Sequence, residues 1–138
     1  MGTIKYETSF RTRGNGDSHN ITEVVAEFIC ASGQDSGIAT VFVPGSTAGV
    51  TTIEFEEGAV ADLKAAMERI APTEFSYTHD ARWGDGNGFS HVRAAILGPS
   101  ISVPFSGGLL LLGTWQQIIL MDFDNRPRDR HVVVHVVS

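Results

Sequence analysis

The sequence predicts an α+β fold: a single compact domain with a largely antiparallel β-sheet, two main helices and one short helix. Its 138 residues suit one domain with one hydrophobic core. Strand-like stretches are joined mostly by turns of hairpin length, and helical apolar spacing recurs in only a few places. We therefore expect residues 1–138 to form one unit built on hairpins rather than on alternating βαβ units.

The N-terminal part predicts a strand followed by a helix. Apolar and polar residues partly alternate over 4–12, which is typical of a half-buried strand. The stretch GNGDSHN at 14–20 predicts a turn. Asn20 followed by Glu23 resembles a capping box, and the spacing that follows predicts an amphipathic helix ending at Ser32.

Two strands and a second helix are predicted next. Residues 37–43 are almost entirely apolar, as in a central strand covered on both faces. Residues 50–56 alternate, which indicates a strand with one polar face. A helix then follows and ends at Pro72, and its apolar stripe consists of Val60, Leu63, Met67 and Ile70.

The C-terminal half predicts a short helix and three strands. Ser90 is a suitable capping residue for a helix that runs to Leu97. The predicted strands cover residues 101–105, 109–123 and 131–138. Since the second of these is long for one strand, Gly113 is expected to mark a bulge or bend.

Composition disfavours several classes of function. The net charge of −6 disfavours nonspecific binding to nucleic acid or anionic membranes. No apolar run approaches the ~20 residues that span a bilayer. The N-terminal residues lack a signal-peptide pattern, so we expect a soluble, cytoplasmic protein.

Some polar groups are expected to be inert. Cys30 lies in an apolar helical pattern, which indicates a buried, unreactive thiol. The acidic residues around the last turn are expected to be solvated, as are Arg126, Arg128 and Arg130.

The segment 79–91, HDARWGDGNGFSH, concentrates side chains that carry chemistry. His79, Asp85 and His91 recur six residues apart, and imidazole and carboxylate groups are common zinc ligands. The intervening glycines Gly84, Gly86 and Gly88 let the backbone fold back so that these groups can converge, since no regular element gives that convergence by itself. The alternative is that both histidines form ordinary hydrogen bonds and that Asp85, in the sequence GDG, is a turn residue.

Groups suited to binding phosphate are also present. A tight bend offers backbone N–H groups and hydroxyls from Gly45, Ser46, Thr47 and Gly49. Gly113 and Thr114 offer similar groups, and Arg93 offers a charge for a diphosphate if it faces the pocket. Equally, Arg93 could pair with an acid at the surface. The sequence has no GxxxxGK[ST] motif, which disfavours nucleotide hydrolysis of the P-loop kind.

Three stretches resemble the YjbQ family, whose members are described as secondary thiamine-phosphate synthases. They are VFVPGSTAGVTTIE at 41–54, SHVRAAILGPSISVP at 90–104 and GGLLLLGTWQQIILMDFD at 107–124. The resemblance extends from about Ile21 onward. It implies a compact α+β domain, a homotrimer, and a pocket between neighbouring subunits that contains a divalent metal, Zn²⁺ or Mg²⁺. The implied reaction joins hydroxymethylpyrimidine diphosphate to thiazole phosphate, giving thiamine phosphate and pyrophosphate.

One departure from the family pattern removes a potential ligand. Many members have a histidine before the Thr/Ser-rich bend, in a stretch like HTSA, whereas this chain has Gly45. The resemblance therefore leaves His79, Asp85 and His91 as the metal ligands, with water or a group from another subunit completing the set.

Glu54 matches an acidic position of the family. The match implies a role as a base or as a residue that orients a ligand, although the same strand position is typical of a solvated face. The resemblance implies that Glu54, Asp85 and His91 are the catalytic residues. His131 and His135 lie on one face of the last strand but ~13 Å apart, too far to share a metal, and are expected to be structural or trimer contacts.

Three functions remain open from the sequence. The first is the transferase, in which a metal held by His79, Asp85 and His91 neutralises the diphosphate leaving group. The second is a metal-dependent hydrolase of a small phosphorylated substrate, with Glu54 as base. The third is a non-catalytic trimeric protein that binds a metal or a metabolite.

Overall fold

The computed structural model describes residues 2–138. Eight strands and four helices lie within this range. In chain order they are β1 (Thr3–Thr12), β2 (Asp17–Asn20), α1 (Thr22–Ser32), β3 (Gly37–Phe42), β4 (Ala48–Glu54), α2 (Glu57–Ile70), α3 (Thr78–Trp83), α4 (Gly88–Leu97), β5 (Ser100–Ser106), β6 (Leu109–Leu110), β7 (Gln116–Asp122) and β8 (Arg128–Val137).

Five strands form one antiparallel sheet in the order β1, β8, β3, β5, β6. β1 and β8 pair over their full length, from Thr3 opposite Val137 to Thr12 opposite Arg128. β3 lies at the centre between β8 and β5, as the sequence predicts. The predicted α+β class, with antiparallel sheets, is confirmed.

β2, β7 and β4 form a second, three-stranded antiparallel sheet. Its middle strand, β7, is buried on both faces, because successive side chains alternate between two clusters. Ile118 and Leu120 join the core that both sheets share with α1, whereas Met121 packs with residues of α2 and α4. This double burial explains the continuous apolar run in the sequence.

The single strand predicted over 109–123 is wrong. β6 belongs to the five-stranded sheet and β7 to the three-stranded sheet, so the chain crosses between sheets in this run. Gly113 lies in the connection, where its N–H donates to the Gln116 side chain at 3.0 Å. Apolar density continues through both strands and therefore does not reveal the break.

The turn predicted over 14–20 is too long. Only its first residues turn the chain, since Asp17–Asn20 pair with β7 as strand β2. Gly14 is required there: its φ is +78°, and an added Cβ would lie 2.6 Å from the Asp124 carbonyl oxygen. The predicted capping box does not form either. Asn20 Oδ1 accepts from the N–H and the hydroxyl of Thr22, and no side chain caps α1.

Two burial expectations are also corrected. Within one chain β3 is covered on one face only, because Ile38 and Phe42 are 48% and 41% exposed. Cys30 is exposed, since Val25 and Ile29 occupy the face of α1 that meets the core.

The end of α4 lies very close to the beginning of β4. The Val50 N–H donates to the Gly98 carbonyl at 2.9 Å, and a Cβ at Gly49 would be 2.8 Å from that same oxygen. This approach fixes α4 beside the bend that precedes β4. Among residues 2–138, no helix is both long and apolar enough to cross a bilayer.

Candidate functional site

A cavity of about 440 Å³ opens where β4 and β8 begin, β7 ends and α3 meets α4. It is lined by Gly45, Ser46, Thr47, His79, Trp83, Asp85, Asn87, His91, Asp124, Arg128 and Arg130. The sequence-predicted residues His79, Asp85, His91, Ser46 and Thr47 therefore do meet in one place.

Two short helices, and not an irregular loop, bring the histidines together. His79 lies on α3 and His91 on α4, and their ring centres are 4.3 Å apart with the planes tilted by 41°. Gly84 ends α3 in the left-handed conformation, at φ +70°, which turns the chain toward α4. The sequence did not predict α3, but the predicted convergence is present, and no single element produces it.

Asp80 and Gly88 connect the two helices. The Gly88 N–H donates to Asp80 Oδ1 at 2.8 Å, so the carboxylate of α3 holds an otherwise unpaired N–H at the start of α4. Only glycine fits at 88, since an added Cβ would lie 2.5 Å from the Cβ of Tyr77. α4 starts at this glycine, two residues before the predicted cap Ser90, whose buried hydroxyl instead donates to the Asn87 carbonyl.

Carboxylates surround the buried nitrogen of His79. Nδ1 lies 3.4 Å from Asp85 Oδ1 and 3.7 Å from Asp80 Oδ1, yet it makes no hydrogen bond to any described residue. One ligand atom from each of His79, Asp80 and Asp85 lies within 4.8 Å of the others. A buried imidazole nitrogen without a partner, beside two carboxylates, matches the donor set of a divalent metal site.

This set differs in one member from the sequence prediction. Asp80 replaces His91 among the atoms that lie close together, and the sequence did not single it out. His91 packs its ring against His79 and faces the same cavity. Burial lowers the pKa of His91 and the neighbouring His79 lowers it further, against smaller opposing effects of nearby carboxylates. Its imidazole is therefore neutral at pH 7, which is the form that binds metals.

A buried ionic network forms the other wall of the cavity. Asp122 accepts from Arg130 Nε at 2.7 Å and from Nη2 at 2.9 Å, a bidentate pair in which both side chains are buried. The Thr12 hydroxyl donates to the same carboxylate. The expectation that Arg130 is solvated is wrong, because β8 turns it toward the inside, where Asp122 at the end of β7 neutralises it.

Asp124 is the second buried acid of this wall. It accepts from Thr47 Oγ1 at 2.9 Å and from Arg128 Nε at 3.0 Å. Burial alone would raise the pKa of Asp124, but the hydrogen bonds from the Asn125 N–H, Thr47 and Asn87, with the charge of Arg128, lower it below its usual value. The network was missed because alternating Asp and Arg residues after a strand resemble an exposed turn.

Asn87 also lines the cavity. Its Nδ2 lies 3.3 Å from Asp124 Oδ1, and its own Oδ1 is buried without a partner in the described chain. Asn87 and His79 Nδ1 thus both present unsatisfied polar atoms at the cavity. Such atoms need a partner, and a bound ion or ligand can supply one.

Two predicted site residues lie elsewhere. Glu54 ends β4 opposite Gln116, whereas the cavity is at the other end of that strand, where Ala48 pairs with Asp122. Six residue steps along the strand separate the two ends, about 20 Å. Thr114 is exposed in the turn before Gln116 and does not line the cavity.

Arg93 faces away from the cavity. It is buried, its Nε donates to the Ala71 carbonyl at 2.9 Å, and its Nη2 pairs with Glu68. Its guanidinium lies over the Phe89 ring, 4.8 Å from the centre. Arg93 therefore joins α4 to the end of α2, and it does not line the cavity.

Ser46 and Thr47 differ in what they can offer a ligand. Both line the cavity, but the Thr47 hydroxyl is already engaged by Asp124 and Arg130. Ser46 is exposed, and its hydroxyl is available to a bound group.

Fold and site together define a small α+β protein with a histidine–carboxylate pocket beside one buried arginine, Arg130. The chain belongs to the YjbQ family: residues 6–138 match the family described as UPF0047 protein YjbQ-like. It is 42% identical over 110 residues to a UPF0047 protein of Mycobacterium bovis, a match that covers 79% of this chain and 83% of the relative. It is 36% identical over 138 residues to a UPF0047 protein of Methanothermobacter thermautotrophicus, covering 100% of this chain and 94% of the relative.

Solved structures show the same fold. A YbjQ-like protein of unknown function from Sulfolobus solfataricus superposes with a TM-score of 0.88 at 28% identity, covering 98% of each chain. An uncharacterized conserved protein of the family from Clostridium acetobutylicum has a TM-score of 0.88 at 33% identity, covering 96% of this chain and 99% of its own. These two solved structures therefore share the fold of this chain.

Proposed function

We propose that this protein is a metal-dependent transferase that joins hydroxymethylpyrimidine diphosphate to thiazole phosphate, giving thiamine phosphate and pyrophosphate. The observation that carries the proposal is the unpartnered Nδ1 of His79, buried between Asp80 and Asp85 in a cavity large enough for a small substrate. The reaction itself comes from the family resemblance, and the pocket offers the groups that this reaction needs.

The donor set favours zinc over magnesium. His79, Asp80 and Asp85 would hold the ion, with His91 close enough to His79 to join them after a small movement of its side chain. Imidazole nitrogen suits Zn²⁺, whereas Mg²⁺ prefers an all-oxygen shell. When bound, a divalent ion would neutralise negative charge on the diphosphate leaving group.

The reaction needs no general base. The lone pair of the thiazole nitrogen forms a bond to the pyrimidine methylene carbon, and the carbon–oxygen bond to the diphosphate breaks. Pyrophosphate leaves with the electron pair, and the ring nitrogen becomes positively charged. No proton is transferred, so the position of Glu54 outside the cavity does not conflict with this chemistry. The same position weighs against a hydrolase that uses Glu54 as its base.

The chain's own residues would bind and orient the two heterocycles. Trp83 lines the cavity and is 66% exposed, which leaves its indole face available for stacking on a flat ring. The exposed hydroxyl of Ser46 faces the same space. Holding both substrates in line is the main contribution expected of a site of this kind.

We also propose that three copies assemble through the exposed face of the five-stranded sheet. An apolar groove of about 410 Å³ on this face is lined by Thr40, Phe42, Pro44, Val133, His135 and Val137. Exposed apolar patches of this kind mark association sites. Since Pro44 lines the groove and Gly45 lines the cavity, a neighbouring copy would also border the cavity. A cytoplasmic location is part of the proposal, and the lone, exposed Cys30 suits a reducing compartment.

A substrate assay tests the activity. Zinc-loaded protein should form thiamine phosphate and pyrophosphate from the two substrates, and His79→Ala should abolish product formation. Omitting the thiazole phosphate separates the alternatives. Pyrophosphate release without it would identify a hydrolase, and no reaction in metal-replete protein beside an active synthase would contradict the transferase.

Light scattering tests the assembly. Wild-type protein should have the mass of a trimer at micromolar concentration, and Phe42→Lys should dissociate it. Phe55→Lys is the matched control, because Phe55 is equally exposed but lies away from this face. A monomeric wild type would contradict a pocket shared between subunits.

A further inference from the structure

We propose that Arg130 is the residue that binds a substrate phosphoryl group in this pocket, and that Gly45 leaves its Nη1 nitrogen uncovered for that contact. The inference rests on the proposed function, because it assigns a specific role within the same site. It replaces Arg93, which the structure places elsewhere.

The guanidinium of Arg130 is fixed by its neighbours. Nε and Nη2 donate to the two oxygens of Asp122, at 2.7 and 2.9 Å, and Nη2 also donates to Thr47. The side chain is only 9% exposed. An arginine held on two sides in this way loses little further freedom when it binds a ligand.

The third nitrogen, Nη1, has no hydrogen-bond partner anywhere in residues 2–138. Within residues 2–138, the fully buried side-chain nitrogen and oxygen atoms without a hydrogen-bond partner are His79 Nδ1 and Asn87 Oδ1, so Nη1 is not fully buried. Arg130 lines the cavity, and the accessible nitrogen therefore presents its N–H groups to whatever occupies it. Phosphate oxygens, like carboxylate oxygens, are acceptors that a guanidinium binds strongly.

Gly45 is what leaves Nη1 uncovered. A Cβ added at this position would lie 2.9 Å from Nη1, its one close contact. Any side chain there would cover the nitrogen or push it aside. Gly45 thus offers no side-chain ligand atom in the bend, but it leaves Nη1 of Arg130 uncovered.

The charges of the pocket make anion binding depend on the metal. Arg128 and Arg130 balance the buried acids Asp122 and Asp124. Asp80 and Asp85 then leave two uncompensated negative charges near His79. A divalent cation would cancel them, and without it the pocket should repel a phosphate. Phosphate binding is therefore expected only in metal-loaded protein.

Isothermal titration of inorganic phosphate into zinc-loaded protein tests the inference. Wild-type protein should bind phosphate, and Gly45→Ala should weaken binding about tenfold or more, as expected when a charge-assisted hydrogen bond is lost. Gly113→Ala is the control, because a Cβ there meets nothing closer than 3.7 Å. Both variants should retain wild-type zinc content. Unchanged phosphate affinity in Gly45→Ala would overturn the inference.

A second measurement needs no folded variant. The guanidinium NMR signals of Arg130 in zinc-loaded wild type should shift when inorganic phosphate is added, and absence of a shift would overturn the assignment even if Gly45→Ala misfolds. Protein that binds zinc but not phosphate would refute this inference alone, whereas protein that binds no zinc would refute the proposed function. In the synthase assay, the substrate whose KM rises in Gly45→Ala identifies the phosphoryl group that Arg130 holds.

Discussion

The imidazole rings of His79 and His91 lie 4.3 Å apart, although separate helices carry them. Their closeness depends on how α3 meets α4, and the hydrogen bond from the Gly88 N–H to Asp80 Oδ1 fixes that meeting. The Asp80 carboxylate thus connects α3 to α4 and also lies 3.7 Å from the buried Nδ1 of His79. Local folding and the candidate metal site are therefore coupled.

Gly88→Ala should disturb both histidines at once. The new Cβ would lie 2.5 Å from the Cβ of Tyr77, so α3 and α4 must separate. We expect a loss of about 1–3 kcal/mol in the free energy of unfolding and weaker zinc binding. Urea denaturation and zinc titration measure the two effects. Gly113→Ala should change neither, and a Gly88→Ala protein that matches wild type in both would contradict this role of the glycine.

Asp122→Asn should be strongly destabilising. The substitution removes the bidentate partner of the buried Arg130 guanidinium and leaves only Asp124, at 3.8 Å from Nη2; breaking a buried pair typically costs about 3–5 kcal/mol. Asp129→Asn is the matched control, since its ion pair with Arg11 is exposed and should contribute about 0–1 kcal/mol. Thermal or urea unfolding of the two variants checks the difference. Equal stabilities would show that the buried network does not hold this end of the fold.

Stability should fall in acid through Asp124. Its pKa is lowered in the folded state, so its contribution is present above the unfolded pKa of about 3.9 and is lost as the pH falls through the folded value. Urea denaturation of metal-free protein should show Asp124→Asn less stable than wild type at pH 7, with the gap narrowing below pH 4. A gap that stays constant down to pH 2 would contradict the lowered pKa.

Glu54→Gln should leave zinc affinity unchanged, because Glu54 lies at the far end of β4 from the cavity. Asp85→Asn should weaken zinc binding, since Asp85 belongs to the cluster around His79 Nδ1. Zinc titration of both variants against a colorimetric chelator gives the comparison. Equal losses of zinc affinity in the two variants would contradict this account. They would mean either that the metal lies elsewhere or that Glu54 of a neighbouring subunit reaches it.

The sequence predicts the fold class and most elements because hydrophobic periodicity reports which faces are buried. It fails at 109–123, where two strands of different sheets share one apolar run and only long-range pairing separates them. It also fails for Cys30, because α1 buries Val25 and Ile29 and leaves the neighbouring apolar positions outside.

The candidate site was predictable only in part. His79, Asp85 and His91 were found because metal-ligand residue types cluster within a short segment. Asp80 was missed although it adjoins His79. Its role depends on α3, and this helix is only six residues long. Arg130 was missed because its burial depends on Asp122 and the pairing of β8, neither of which local composition reveals.

Zinc content per subunit is the most direct test of the account. Protein purified without a chelator or an affinity-tag metal should contain about one zinc per subunit, measured by inductively coupled plasma mass spectrometry. His79→Ala should lose this zinc while remaining folded. His91→Ala should also lose zinc, because the His91 imidazole lies beside His79 and completes the proposed site. Glu54→Gln should retain zinc. Wild-type protein that takes up no metal after reconstitution with Zn²⁺, Mn²⁺ or Mg²⁺ would contradict the metal site and, with it, the proposed transferase.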